Sequence, residues 1–81
     1  MKSRLCDISP GEKALVSGMY SQGGMRRRLR DMGLVEGAEV ECLMKSALGD
    51  PVAYLIKGAV IALRREDAAA VTVEDAGAWE M

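Results

Sequence analysis

Apolar positions recur with two different periods along this chain. Between Met25 and Gly33 the period is helical. At about 100° per residue, Met25, Leu29 and Met32 fall on one face, Arg26, Arg27 and Arg30 fan across the other, and Arg28 sits at the boundary. The pattern predicts a helix of about two and a half turns with an apolar stripe and a basic back. Gly33 stands where a helix commonly ends in a left-handed residue, which glycine adopts with no Cβ penalty. So short a helix does not persist alone, so its apolar stripe must pack on other structure.

Elsewhere the period is close to two. Residues 13–20 place Ala14, Val16 and Gly18 on one face of a strand. In 38–45, Val40, Cys42 and Met44 alternate with Glu39, Glu41 and Leu43. Val52, Tyr54 and Ile56 share a side in 52–57, a fourth strand covers 60–64, and Val71 and Val73 mark a short last one. Leu5 and Ile8 are core contacts from an N-terminal arm. Gly11, Gly33, Gly37 and Gly58 act as turn formers, Pro10-Gly11 as a type II turn and Gly58 as the hinge of a tight hairpin. Pro51 belongs at a strand start or edge, and residues 65–70 form a single helical turn. The expectation is a mainly β fold, a small closed five-stranded barrel with one short α-helix between the first two strands. Closure would leave no strand edge exposed. Residues 1–75 form the domain, and 76–81 an acidic C-terminal tail that carries Trp79.

At 81 residues this is one domain with a small core. The net charge of −1 argues against nucleic-acid binding, which calls for a basic excess. The charge is unevenly placed: four arginines lie within 26–30, and after Arg65 every charged side chain is acidic. Arg26 and Arg30 are like charges at i, i+4, which repel by a few tenths of a kcal/mol. Arg26, Arg27, Arg30 and Trp79 are therefore the candidate contacts for a partner with an acidic or phosphate-bearing surface. The competing reading is a solvated helix face and a tail folded back on the barrel.

Several chemistries are missing. The chain has no histidine, no phosphate-binding Gly-x-x-x-x-Gly-Lys loop, no Gly-x-Gly-x-x-Gly and no Cys-x-x-Cys, and its serines lack an obvious base. It reads as a non-enzyme with no catalytic residue, resident cofactor or metal-ligand set assigned. Cys42, in phase with Val40 and Met44, reads as a small core hydrophobe, and Met25, Met32 and Met44 as core filler. Weak binding of Fe2+ or another divalent metal by Cys6, Cys42 and nearby acids stays open; it requires the arm to cross the second strand. No run approaches the roughly 18 apolar residues of a membrane span, and MKSRLCDISPG lacks the apolar core of a signal peptide. Cytoplasmic localisation without direct membrane insertion is expected. Homo-oligomerisation stays open.

Four segments taken together, PGEKALV, RRRLRDMGLVEGAEVE, ALGDPVAYLIKG and IALRREDAAAVTV, resemble the FeoA family of bacterial ferrous-iron transport proteins. The resemblance runs from about Leu5 to Val73. Arg-Leu-x-x-Met-Gly-Leu-x-x-Gly at Arg28 to Gly37, together with Gly49 to Glu66, carries its specificity. It implies an SH3-like barrel and a small cytosolic partner of FeoB, a membrane transporter with a cytosolic GTP-binding domain. It further implies docking on that transporter and modulation of transport or GTPase activity. The same module closes DtxR-type metal-dependent repressors, so the alternative is a metal-binding or metal-sensing SH3-like domain. These 81 residues hold no helix-turn-helix, so the resemblance does not extend to a whole repressor.

Overall fold

A computed structural model describes residues 2–75. Six antiparallel strands form one sheet: β1 (Lys2–Arg4), β2 (Lys13–Met19), β3 (Glu39–Lys45), β4 (Val52–Ile56), β5 (Ala59–Leu63) and β6 (Val71–Asp75). They are ordered β1-β6-β2-β3-β4-β5. A 3₁₀ turn covers Leu5–Asp7, helix α1 runs Gly23–Asp31 between β2 and β3, and the single turn α2 runs Arg65–Ala68. The five strands and the inserted helix stand where their periodicity puts them, and β1 is added. Its three polar residues carry no alternation of their own; they pair with β6, Ser3 opposite Val73.

Hydrogen bonds do not close the barrel. β1 and β5 are the two ends of the ladder. The 3₁₀ turn that follows β1 packs instead on α2, which follows β5, with Leu5 and Ala68 fully buried. Side-chain packing thus closes the gap that a ladder would have closed.

The inward face collects Leu5, Val16, Leu29, Leu34, Val40, Cys42, Val52, Tyr54, Ile56, Leu63, Val71 and Val73. Leu29 enters from α1, with Met25 and Met32 packed at the rim. Met44 differs from its expected place: it is 64% exposed. A bulge at Leu43 is the cause. Cys42 faces Tyr54, but Met44 faces Ala53 and Lys45 faces Val52, so the alternation slips by one residue and Met44 turns outward. Tyr54 is the largest fully buried side chain, and its hydroxyl donates to the Leu5 carbonyl at 3.3 Å, tying β4 to the 3₁₀ turn.

Candidate functional site

The terminus that orients α1 follows from Gly33. Its φ is +105°, and two hydrogen bonds close the helix across it: Gly33 N–H donates to Arg30 O at 3.0 Å and Leu34 N–H to Leu29 O at 3.0 Å. This is the paired 6→1 and 5→2 arrangement of a Schellman end, with buried Leu29 and Leu34 as its hydrophobic contact. A Cβ on Gly33 would lie 3.0 Å from Ile56 Cγ2 and 3.3 Å from Lys57 Cδ. The C-terminus of α1 is therefore pressed against the β4–β5 hairpin. With the apolar face held down, the basic face points outward, and Arg26, Arg27, Arg28 and Arg30 are all exposed.

Two adjoining depressions flank that face. The larger, about 510 Å³, is lined by Gly23, Arg26, Arg27, Arg30, Asp31 and Val35. The second, about 270 Å³, lies between α1 and β2 and shares Arg26, Arg30 and Val35, with Met19 and Glu36 on its far wall. The structure thus brings Arg26, Arg27 and Arg30 together around one open groove. Among the described residues the one ion pair is Arg4–Asp7 at 3.6 Å, so the helix guanidinium groups have no carboxylate within pairing distance. Asp31 on the rim does not pair with Arg27. The lining sets Arg26, Arg27 and Arg30 against Asp31 and Glu36, with Val16, Met19, Leu34 and Val35 apolar, so the guanidinium groups can take carboxylate or phosphate groups while the two carboxylates limit the positive charge.

Trp79, the other candidate contact, lies outside the described residues. Gly11, Gly37 and Gly58 have φ of +91°, +85° and +82°, and with Lys57 at +51° the last forms a two-residue type I′ hairpin. The sequence did not point to Met19, Val35 and Glu36 as part of the groove. They come from β2 and the α1–β3 connection, and only the fold places them beside the helix.

Cys42 is fully buried, and Cys6 is half-buried with Sγ 3.7 Å from Asp7 Oδ1; both are free. Burial pushes the Cys42 thiol up, opposed by Lys45 and reinforced by a nearby Glu12, so the thiol is neutral at neutral pH. Burial also holds the Tyr54 phenol well above its ordinary value, reinforced by Cys42, Cys6 and Asp7 nearby. Asp7 is shifted down, chiefly by the hydrogen bond it accepts from the Arg4 backbone N–H at 3.2 Å and also by the Arg4 charge.

The sequence matches the FeoA domain model over residues 3–75. A fusion of Fe(2+) transport protein A with the Fe(2+) transporter FeoB from Porphyromonas gingivalis is 37% identical over 71 residues, 88% of this chain. Those residues span 8% of that relative. The solution structure of FeoA from Chlorobium tepidum is 34% identical with a TM-score of 0.86, over 91% of this chain and 70% of that one. FeoA from Stenotrophomonas maltophilia, solved with zinc and described as a procaryotic SH3 domain protein, is 28% identical with a TM-score of 0.80, over 89% of each chain. The architecture is thus SH3-like. With the family pattern covering nearly all of its length, the chain belongs to the FeoA family of ferrous-iron transport proteins.

Proposed function

We propose that the chain is a non-enzymatic cytoplasmic accessory to ferrous-iron uptake. It docks on a FeoB-type membrane transporter through Arg26, Arg27 and Arg30 and modulates transport or GTPase activity. The observation that carries this reading is the Porphyromonas gingivalis fusion, in which a homologous segment and a FeoB transporter are one polypeptide. A covalent link raises the effective concentration of two modules to about millimolar, which matters when they work in contact. The guanidinium groups around the groove, which pair with no carboxylate among the described residues, supply the surface. Such a patch steers an acidic partner and makes the association rate fall with salt. No helix among the described residues is long and apolar enough to cross a membrane, which agrees with a role at the transporter's cytosolic part.

The test is a titration of the chain against detergent-solubilised FeoB-type transporter with a GTP analogue, with GDP and with neither. The expected result is saturable binding that depends on nucleotide. Reversing Arg26, Arg27 and Arg30 to Glu should weaken it at least tenfold, about 1.4 kcal/mol, with the melting temperature unchanged. Equal binding by the folded triple variant would remove the groove from the interface, and no binding in any condition would remove the docking model.

A second reading is direct binding of a divalent metal, favoured by the zinc complex of Stenotrophomonas maltophilia FeoA. Among the described residues no three His, Cys, Asp or Glu side chains converge on one point. Anaerobic equilibrium dialysis against Fe2+ separates the readings, since retention at micromolar concentration requires a site of its own.

A further inference from the structure

β5 ends the sheet, and its sequence, AVIAL, holds no charge, proline or bulge of the kind that blunts natural edge strands. The two-residue turn fixes how its backbone faces. Ile56 and Ala59 close that turn as a hydrogen-bonded pair, so Tyr54–Ile61 and Val52–Leu63 are hydrogen-bonded pairs as well. Val60 and Ala62 therefore direct their N–H and C=O groups away from β4. These four groups have no backbone partner among the described residues.

Their spacing is complementary to itself. An antiparallel copy related by a twofold axis at Ile61 sets Val60 opposite the partner's Ala62 and Ala62 opposite the partner's Val60. Each pair exchanges two hydrogen bonds, four in all, and leaves no outward group unmatched. Charge agrees with this register. Residues 58–63 are uncharged and Arg64 falls opposite the partner's Gly58, so no like charges face each other within the paired strands; the first such pair, Lys57 opposite the partner's Arg65, falls beyond the strand ends, in the turn and in α2. The side chains agree too. Val60 is 67% exposed and Met44 64%, and the outward row Met44, Ala53, Ala62 would run on into the partner's Val60 and Leu55.

We propose that β5 is a homodimerisation edge, along which two copies pair antiparallel about Ile61 and merge their sheets. Five paired residues a side fall below the roughly 1,200 Å² of stable complexes, so the dimer is weak, with a dissociation constant on the order of 100 μM. This does not rest on the transporter reading, because β5 and the arginine groove are separate surfaces.

The experiment is sedimentation equilibrium and amide NMR on the 81-residue chain from about 10 μM to about 1 mM, which brackets that constant. The mass should rise towards that of a dimer. Over the same range the Val60 and Ala62 amides should shift and gain exchange protection, while those of Ile61 and Leu63, already bonded to β4, change little. Val60→Lys sets two lysines in the paired edge, and Ala62→Pro removes an outward N–H while sparing every bond to β4. Both variants should stay monomeric throughout. If Ala62→Pro fails to fold, Val60→Lys and the wild-type amides decide. A chain that stays monomeric at about 1 mM overturns the proposal. So does a dimer whose Val60 and Ala62 amides do not respond, or one that the folded variants form equally well.

Discussion

Substituting Gly33 separates two costs that other turn glycines do not combine. Gly33 and Gly37 both have positive φ, +105° and +85°. An L-residue in such a conformation loses about 1–2 kcal/mol. At Gly37 that is the whole cost, because nothing lies within 4 Å of the added Cβ. At Gly33 the Cβ also meets Ile56 Cγ2 at 3.0 Å, well inside the usual carbon–carbon separation of about 3.5–4.0 Å. Ile56 is fully buried and cannot swing away, so overpacking adds about 1–3 kcal/mol. Gly37→Ala should therefore cost about 1–2 kcal/mol and Gly33→Ala about 2–5 kcal/mol. A chain of this size holds roughly 4–12 kcal/mol in all. Urea unfolding with a shared m-value measures both, and each kcal/mol should lower the melting temperature by about 4–8 °C. Gly33→Val is worse still, since a β-branched residue is the least tolerant of positive φ. If Gly33→Ala costs no more than Gly37→Ala, then α1 is not pressed on the hairpin and its orientation has another origin.

Further outcomes follow from the same contacts. Tyr54→Phe leaves the Leu5 carbonyl without its donor and should cost about 1–3 kcal/mol by urea unfolding at neutral pH. The Tyr54 phenol is raised above its ordinary 10.0, so the stability it contributes is fully present below pH 10 and lost as pH rises beyond; Tyr54→Phe should flatten that alkaline loss. Asp7 is shifted down from 3.8, so its contribution is present above that pH and lost as pH falls through the folded value; Asp7→Asn should remove this part of the acid slope in a pH-resolved melt. Asp50 Oδ1 accepts from the Arg65 N–H at 2.9 Å, capping α2 from fifteen residues away. Asp50→Ala should cost about 1 kcal/mol, measured as a shift in the urea midpoint.

Elements with a local cause were legible in the sequence. The period of α1, its glycine end and the Lys57-Gly58 hairpin each depend on residues within a few positions, and so did the basic face. What depended on distant partners was not. The Leu43 bulge has no glycine to announce it, because it is set by how β3 meets β4, and it turned Met44 from an expected core residue into an exposed one. β1 exists through β6 at the other end of the chain. The open gap between β1 and β5, filled by two helical turns, was hidden by the assumption that a barrel must close through its ladder. At the groove, the arginines were visible, and the β2 wall opposite them was not.

The way α1 is fastened makes it a cantilever. Its C-terminal end is clamped by two backbone hydrogen bonds, two buried leucines and the press of Gly33 on the hairpin. Its N-terminal end begins with two glycines and has no side-chain cap. Loosening is therefore easiest at Gly23 and Gly24, ahead of Met25, the first residue of α1 packed on the core. Arg26 and Arg27 stand next to that looser end, while Arg30 stands beside the clamp. A partner bound at this end would also order that first turn, so its affinity would include the free energy of ordering it. Ionic strength would then act in two opposed ways, weakening any charge-held partner while screening the Arg26–Arg30 repulsion within α1.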